Sequence, residues 1–195
     1  MTKYNGEIAH IQQWKDKFYI YGYKSGRSSV DPTRYVNYYS RLFVVPKDDP
    51  GSIGQAILDA ASQCVYEEDV SEVYDEKTKT TRKYCFGEAL LSATKSTWRS
   101  LAWDGQSLEI QMEGDQAIII PLILDYYDKG IAGQEKETWF TSSLEPKELG
   151  QNALKGLSLY KIDPKVQAQI DNTRRKQALR REERAKLKAE KLKNS

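Results

Sequence analysis

The sequence predicts an α+β fold, with helices packed on a mostly antiparallel sheet and a charged helical tail at the C-terminus. Three observations predict it. Aromatic and β-branched runs at 17–25 and 35–46 have strand composition. Apolar-rich segments follow one another through 97–122 with only the turn signals "DGQ" and "GD" between them. The chain also writes one helix opening twice, as "DPGSIGQAILDAASQC" at 49–64 and "EPKELGQNALKGLSLY" at 145–160. Strands joined by short turns favour antiparallel pairing, whereas a doubly wound sheet needs strands and helices to alternate throughout.

Taken in order, "KFYIYGYKS" (17–25) reads as a strand and "GRSSVDP" (26–32) as a loop. "YVNYYSRLFVVP" (35–46) reads as a second strand ended by Pro46. The first repeat follows. Asp49 suits an N-cap and Pro50 a first helical turn. Ile53, Ile57, Leu58 and Ala61 then recur on one helix face. Residues 65–83 show no period and read as an irregular excursion. "YCFGEALLSA" (84–93) reads as a second helix. "TWRSLAW" (97–103), "SLEIQME" (107–113) and "QAIIIPL" (116–122) read as an antiparallel meander, and "ETWFTSS" (137–143) as a last strand. The second repeat is then a helix burying Leu149, Ala153, Leu154 and Leu157. In both repeats Gly-Gln stands four residues after Pro, which puts Gly54 behind Pro50 and Gly150 behind Pro146. A glycine just inside a helix signals a close backbone approach. Since both copies follow a strand, the expected neighbour is the sheet.

The 13 Tyr, 4 Trp and 4 Phe supply enough large side chains for one core. The division expected is a single domain over 1–162 and a basic tail over 163–195. The tail is rich in helix formers, without aromatics, and its apolar residues are sparse. It reads as a solvated or partly disordered helix that the fold does not need. Residues 165–195 carry 11 Lys and Arg against 4 Asp and Glu, while residues 1–164 carry 19 against 24. The body is acidic and the tail basic.

Chemistry is hard to find. The single histidine, His10, has no motif around it and only Glu7 as a nearby acid, so a surface histidine is expected. Cys64 and Cys85 lack paired spacing and read as small buried hydrophobes. "GIAGQE" (130–135) is no phosphate loop. The acids of 67–76 lack an EF-hand pattern. No catalytic residues, metal or cofactor are therefore expected. The longest apolar run, "AIIIPLIL" (117–124), is far shorter than the roughly 20 residues a membrane span needs. No signal peptide is visible, and a cytoplasmic location is expected. The densest charge on the body is Glu67, Glu68, Asp69, Glu72, Asp75 and Glu76, flanked by Tyr66 and Tyr74. A large amphipathic ring beside charge suits a binding surface, and a solvated acidic loop is the plainer alternative.

Three segments together resemble the immunity proteins of bacterial contact-dependent growth inhibition systems. They are the aromatic strand "KFYIYGYKS" with the corner "DPGSIGQAILDAAS", the stretch "TKSTWRSLAWDGQSLEIQMEGDQAIIIPL", and the closing "SLEPKELGQNALKGLSLY". The resemblance spans about residues 17–160, and the tail lies outside it. It implies a non-enzymatic cytoplasmic protein that binds and neutralises the cognate toxin domain. Many such toxins are nucleases with basic clefts, which an acidic body would complement. The alternative is a nucleic-acid-associated protein docking through its tail. Nucleic acid is the less expected partner, because the tail lacks stacking aromatics and alternates charge in "RREER".

Overall fold

A computed structural model describes residues 4–27, 35–63, 73–75, 80–82, 86–124 and 131–193. Their main sheet is mixed but mostly antiparallel, with nine strands among the described residues. Its spine runs β10 (Phe140–Ser143), β8 (Gln116–Leu124), β7 (Gln106–Gly114), β1 (Tyr4–Trp14), β2 (Lys17–Arg27), β3 (Tyr35–Tyr39). The short β4 (Phe43–Pro46) also pairs with β2, and β9 (Ile131–Gly133) and β11 (Lys161–Ile162) both pair with β8. Only the β11 pairing is parallel.

The strand expected over 35–46 is broken in two. Ser40 takes the place of a ladder position: its hydroxyl accepts the Gly22 N–H at 2.9 Å and donates to the Arg41 carbonyl at 2.8 Å. The segment 97–103 is not a strand either. It forms α3 (Trp98–Asp104), because Thr97 caps it by accepting the Ser100 N–H at 3.2 Å. The meander is therefore a two-stranded hairpin of β7 and β8, turned at Gly114 with φ of 64°. The excursion at 65–83 contains two paired strands, β5 (Val73–Asp75) and β6 (Thr80–Arg82). Cys64 and Cys85 lie outside the described residues.

Central β1 has no counterpart among the expected strands. Its alternation is genuine: Ala9 and Ile11 are fully buried on one face, and His10 and Gln12 lie on the other. Phe18 and Ile20 of β2, Leu108, Ile110 and Met112 of β7, and Ala117 and Ile119 of β8 continue the apolar face. Two helices cover it, α1 (Pro50–Ser62) and α4 (Pro146–Ser158). They bury Ile53, Ile57, Ala60 and Ala61 from one, and Leu149, Ala153 and Leu157 from the other. Leu154 packs at the margin, half-buried.

The repeated opening is where these two helices touch. A Cβ on Gly54 would overlap the Pro146 carbonyl and stand 2.9 Å from the Pro146 Cα. A Cβ on Gly150 would overlap the Pro50 carbonyl and stand 3.0 Å from the Pro50 Cα. Each glycine thus receives the first turn of the other helix, about a local two-fold axis. The close neighbour is the partner helix and not the sheet. Within these two helices, a glycine that does lie against the sheet is Gly156, where a Cβ would stand 2.7 Å from both Ile119 and Leu108 side chains. The caps follow the sequence. Asp49 accepts from the Gly51 and Ser52 N–H groups, and Glu145 from the Glu148 N–H at 2.8 Å.

On the opposite sheet face, α2 (Phe86–Thr94) and α3 place Leu90 and Leu101 against Tyr19, with Trp14, Tyr21, Leu42 and Leu91 around them. The tail forms α5 (Pro164–Lys193), and its start does pack. Val166 and Ile170 are buried beside Leu124, with Ala102, Trp103, Tyr160 and Ile162 around them. Arg174 pairs with Asp104 of α3. From Arg174 to Ala189 every residue is exposed.

Candidate functional site

Among the described residues, the polar face of β1, β2 and β7 gathers a histidine, a glutamate and several tyrosines. Its residues come from simple alternation. Ile8, His10 and Gln12 of β1 stand beside Tyr19, Tyr21 and Tyr23 of β2 on one side, and beside Ser107, Glu109 and Gln111 of β7 on the other. The α2–α3 cover takes the Tyr19 end. There Gln12 is buried and tied down: Ser107 Oγ donates to its Oε1 at 2.7 Å, and its Nε2 donates to the Gln106 and Leu101 carbonyls. Gln12 thereby fixes the C-terminal end of α3 on the sheet.

Next to that clamp the face is half-buried. The His10 ring stacks on Tyr21, with centroids 5.4 Å apart and planes 10° from parallel. It tilts against Tyr23 at 5.0 Å. His10 Nε2 stands 3.3 Å from Glu109 Oε2, and Gln111 Nε2 donates to Glu109 Oε1 at 3.0 Å. Burial of Glu109 on its own would push its carboxyl up. The hydrogen bonds from His10 and Gln111 and the charge of His10 outweigh that, so Glu109 titrates below its ordinary value. His10 is accordingly no isolated surface histidine: its acid is Glu109, which is 99 positions along the chain but directly opposite in the sheet. At the far side of the α3 cover, burial pushes the Tyr160 hydroxyl up to about 12, and that hydroxyl donates to the Ala102 carbonyl at 3.3 Å.

This arrangement suits recognition. Tyrosine rings offer apolar faces and polar edges, and a carboxylate held by two donors presents fixed charge. Among the described residues no group of three or more His, Cys, Asp or Glu is placed to hold a metal ion, and no helix is long and apolar enough to cross a membrane.

Of the residues singled out from sequence, the structure brings together Pro50, Gly54, Pro146 and Gly150. Tyr74 and Asp75 lie on β5, opposite Thr81 and Thr80. Tyr66, Glu67, Glu68, Asp69, Glu72 and Glu76 lie outside the described residues. The tyrosine face was available in "YIYGY", where every second residue is Tyr. Glu109 and Gln111 carried no comparable signal.

No family model and no curated protein matches this chain. Solved structures do. One is a protein of unknown function from Neisseria meningitidis, with 17% identity and a TM-score of 0.53 over 81% of this chain and 97% of that one. Another is a chain of the CdiA-CT/CdiI toxin and immunity complex from Yersinia pseudotuberculosis, with 17% identity and a TM-score of 0.53 over 80% of this chain and 98% of that one. At that identity the likeness is one of fold. The α+β architecture of this chain, with its open and mostly antiparallel sheet, is an arrangement also found in a toxin–immunity complex.

Proposed function

We propose that this protein is an immunity protein that binds and neutralises the toxin domain of a contact-dependent growth inhibition effector. The observation that carries this reading is the fold shared over nearly the whole length of a chain in a toxin–immunity complex. It joins the resemblance that the two repeats and the segment between them already carry. The protein acts by occupying the toxin, without turnover, in the cytoplasm where the toxin is delivered. The toxin it meets is a nuclease with a basic cleft. The acidic segment Tyr66, Glu67, Glu68, Asp69, Glu72, Tyr74, Asp75 and Glu76 makes the first electrostatic contact with that cleft.

The test is co-expression with the cognate toxin domain. Growth should be restored when the two proteins are roughly equimolar, and the pair should co-purify. Rescue at far lower amounts would indicate a catalytic mode and overturn inhibition by binding. Absence of rescue, with both proteins folded, would overturn the reading altogether.

A further inference from the structure

The second half of α5 sorts its charges by face. Lys176, Arg180, Arg184 and Lys188 recur at every fourth position, so they stack as a ladder along one side of the helix. Position 181 flanks it and position 191 continues it, and together with Arg174 these basic positions fall within an arc of about 160°. Glu182, Glu183 and Glu190 lie outside that arc, among Arg175, Lys186 and Lys193. The alternation "RREER", which in linear form reads as self-neutralising, separates on the helix into a basic side and a mixed side.

The ladder works against the helix that carries it. Like charges four residues apart destabilise a helix, and the ladder holds three such pairs in succession. Lys176, Arg180, Arg184 and Lys188 are exposed and make no ion pair with any described residue. The ladder also continues the face by which the helix docks. Arg184 and Lys188 stand 18 residues, about five full turns, beyond the buried Val166 and Ile170. Cations thus replace the apolar side chains that would have continued the docking.

We propose that this face of α5 binds the phosphate backbone of duplex DNA. A regular row of positive charge suits a regular row of phosphates, and such contacts need no further chemistry. A protein partner fits less well, because interface centres are poor in charge and use aromatic anchors, and residues 164–195 contain no aromatic ring. The same lack disfavours single strands, which bind by base stacking. B-form DNA admits a helix in its major groove, whereas the major groove of duplex RNA is too narrow. This binding does not depend on toxin neutralisation.

The test compares two triple variants of the full chain that remove equal charge. One is Arg180→Gln, Arg184→Gln and Lys188→Gln on the ladder. The other is Arg175→Gln, Lys186→Gln and Lys193→Gln on the mixed side. Gln keeps helix propensity, and circular dichroism checks that helix content is retained. Binding to a labelled mixed-sequence DNA duplex is followed by fluorescence anisotropy. With four phosphate contacts, native affinity should fall about 100-fold between about 50 and 200 mM salt. The ladder variant should lose most of that binding and flatten the logarithmic salt slope by about 2.7, and the mixed-side variant should change little. No duplex binding at low salt would overturn the proposal, as would equal loss in both variants. Tighter binding to single-stranded RNA would also overturn it, and so would self-association without DNA that the ladder variant abolishes. Both triples should still neutralise toxin, so failure here and failure of the immunity reading remain separate results.

Discussion

At the residue scale the most constrained positions are Gly54 and Gly150, because what they face is backbone. A carbonyl group cannot rotate aside as a side-chain tip can. Gly54→Ala or Gly150→Ala should therefore cost about 1–3 kcal/mol or more through overpacking, read as a lowered urea midpoint. Because the two sites form one crossing, the double variant should cost less than the two single losses added together. Unchanged midpoints in both single variants would mean the crossing is looser than the geometry requires. Glu109 offers a second residue-scale outcome. Its folded titration lies below its unfolded one, so its contribution is present above the unfolded value and is lost as pH falls through the folded one. Below about pH 4.3, the ordinary glutamate value, acid should destabilise the native protein more than Glu109→Gln. Removing the donor by His10→Ala should shrink the same difference. Parallel stability–pH curves for native and Glu109→Gln proteins would show that the pairing adds nothing.

At the scale of elements, sequence pattern was reliable where burial alternates cleanly or a cap is strong. The α1 and α4 openings, β2, and the β7–β8 hairpin follow from their residues alone. Central β1 is less legible because its run is poorer in the aromatic and β-branched residues that mark β2, although Ala9 and Ile11 alternate with His10 and Gln12. The segment 97–103 is rich in large apolar residues and bounded by a turn signal, as a strand would be, but the Thr97 cap and the single buried Leu101 decide for helix while Trp98 stays 55% exposed. Fold was thus more legible than site: the His10–Glu109 pair needs the β1–β7 register, which no local signal gives. The tail divides at an element boundary too. Val166 and Ile170 satisfy a local apolar surface, and past Arg174 no described residue packs. Deleting 175–195 should change stability by no more than about 0.5 kcal/mol. Extending the deletion to Lys165 removes two buried side chains and should cost about 3 kcal/mol or more. Equal losses in the two truncations would show that the outer helix contacts the body.

For the whole molecule, the question is how an acidic body with one amphipathic sheet face would hold a toxin. The two candidate surfaces make different kinetic predictions. Exposed charges act mainly on encounter, so they set the association rate and its salt dependence. Half-buried rings act mainly on how long a complex lasts, so they set dissociation. Reversing Glu67, Glu68 and Asp69 to Lys should slow association with the toxin domain at low salt and flatten its salt dependence. The protein's own melting should barely move, as the sequence expectation of a solvated acidic segment implies. Tyr23→Ala, at the half-buried end of the His10–Tyr21–Tyr23 stack, should leave association nearly unchanged and speed dissociation if the sheet face is covered in the complex. Stopped-flow association and surface-plasmon dissociation, each at low and high salt, separate the two effects. A slowed association with native dissociation places the acidic segment at the rim of the contact. Native association with fast dissociation in Tyr23→Ala, together with no effect of the charge reversals, transfers the interface to the sheet face. If neither variant alters either rate, the contact lies on neither surface.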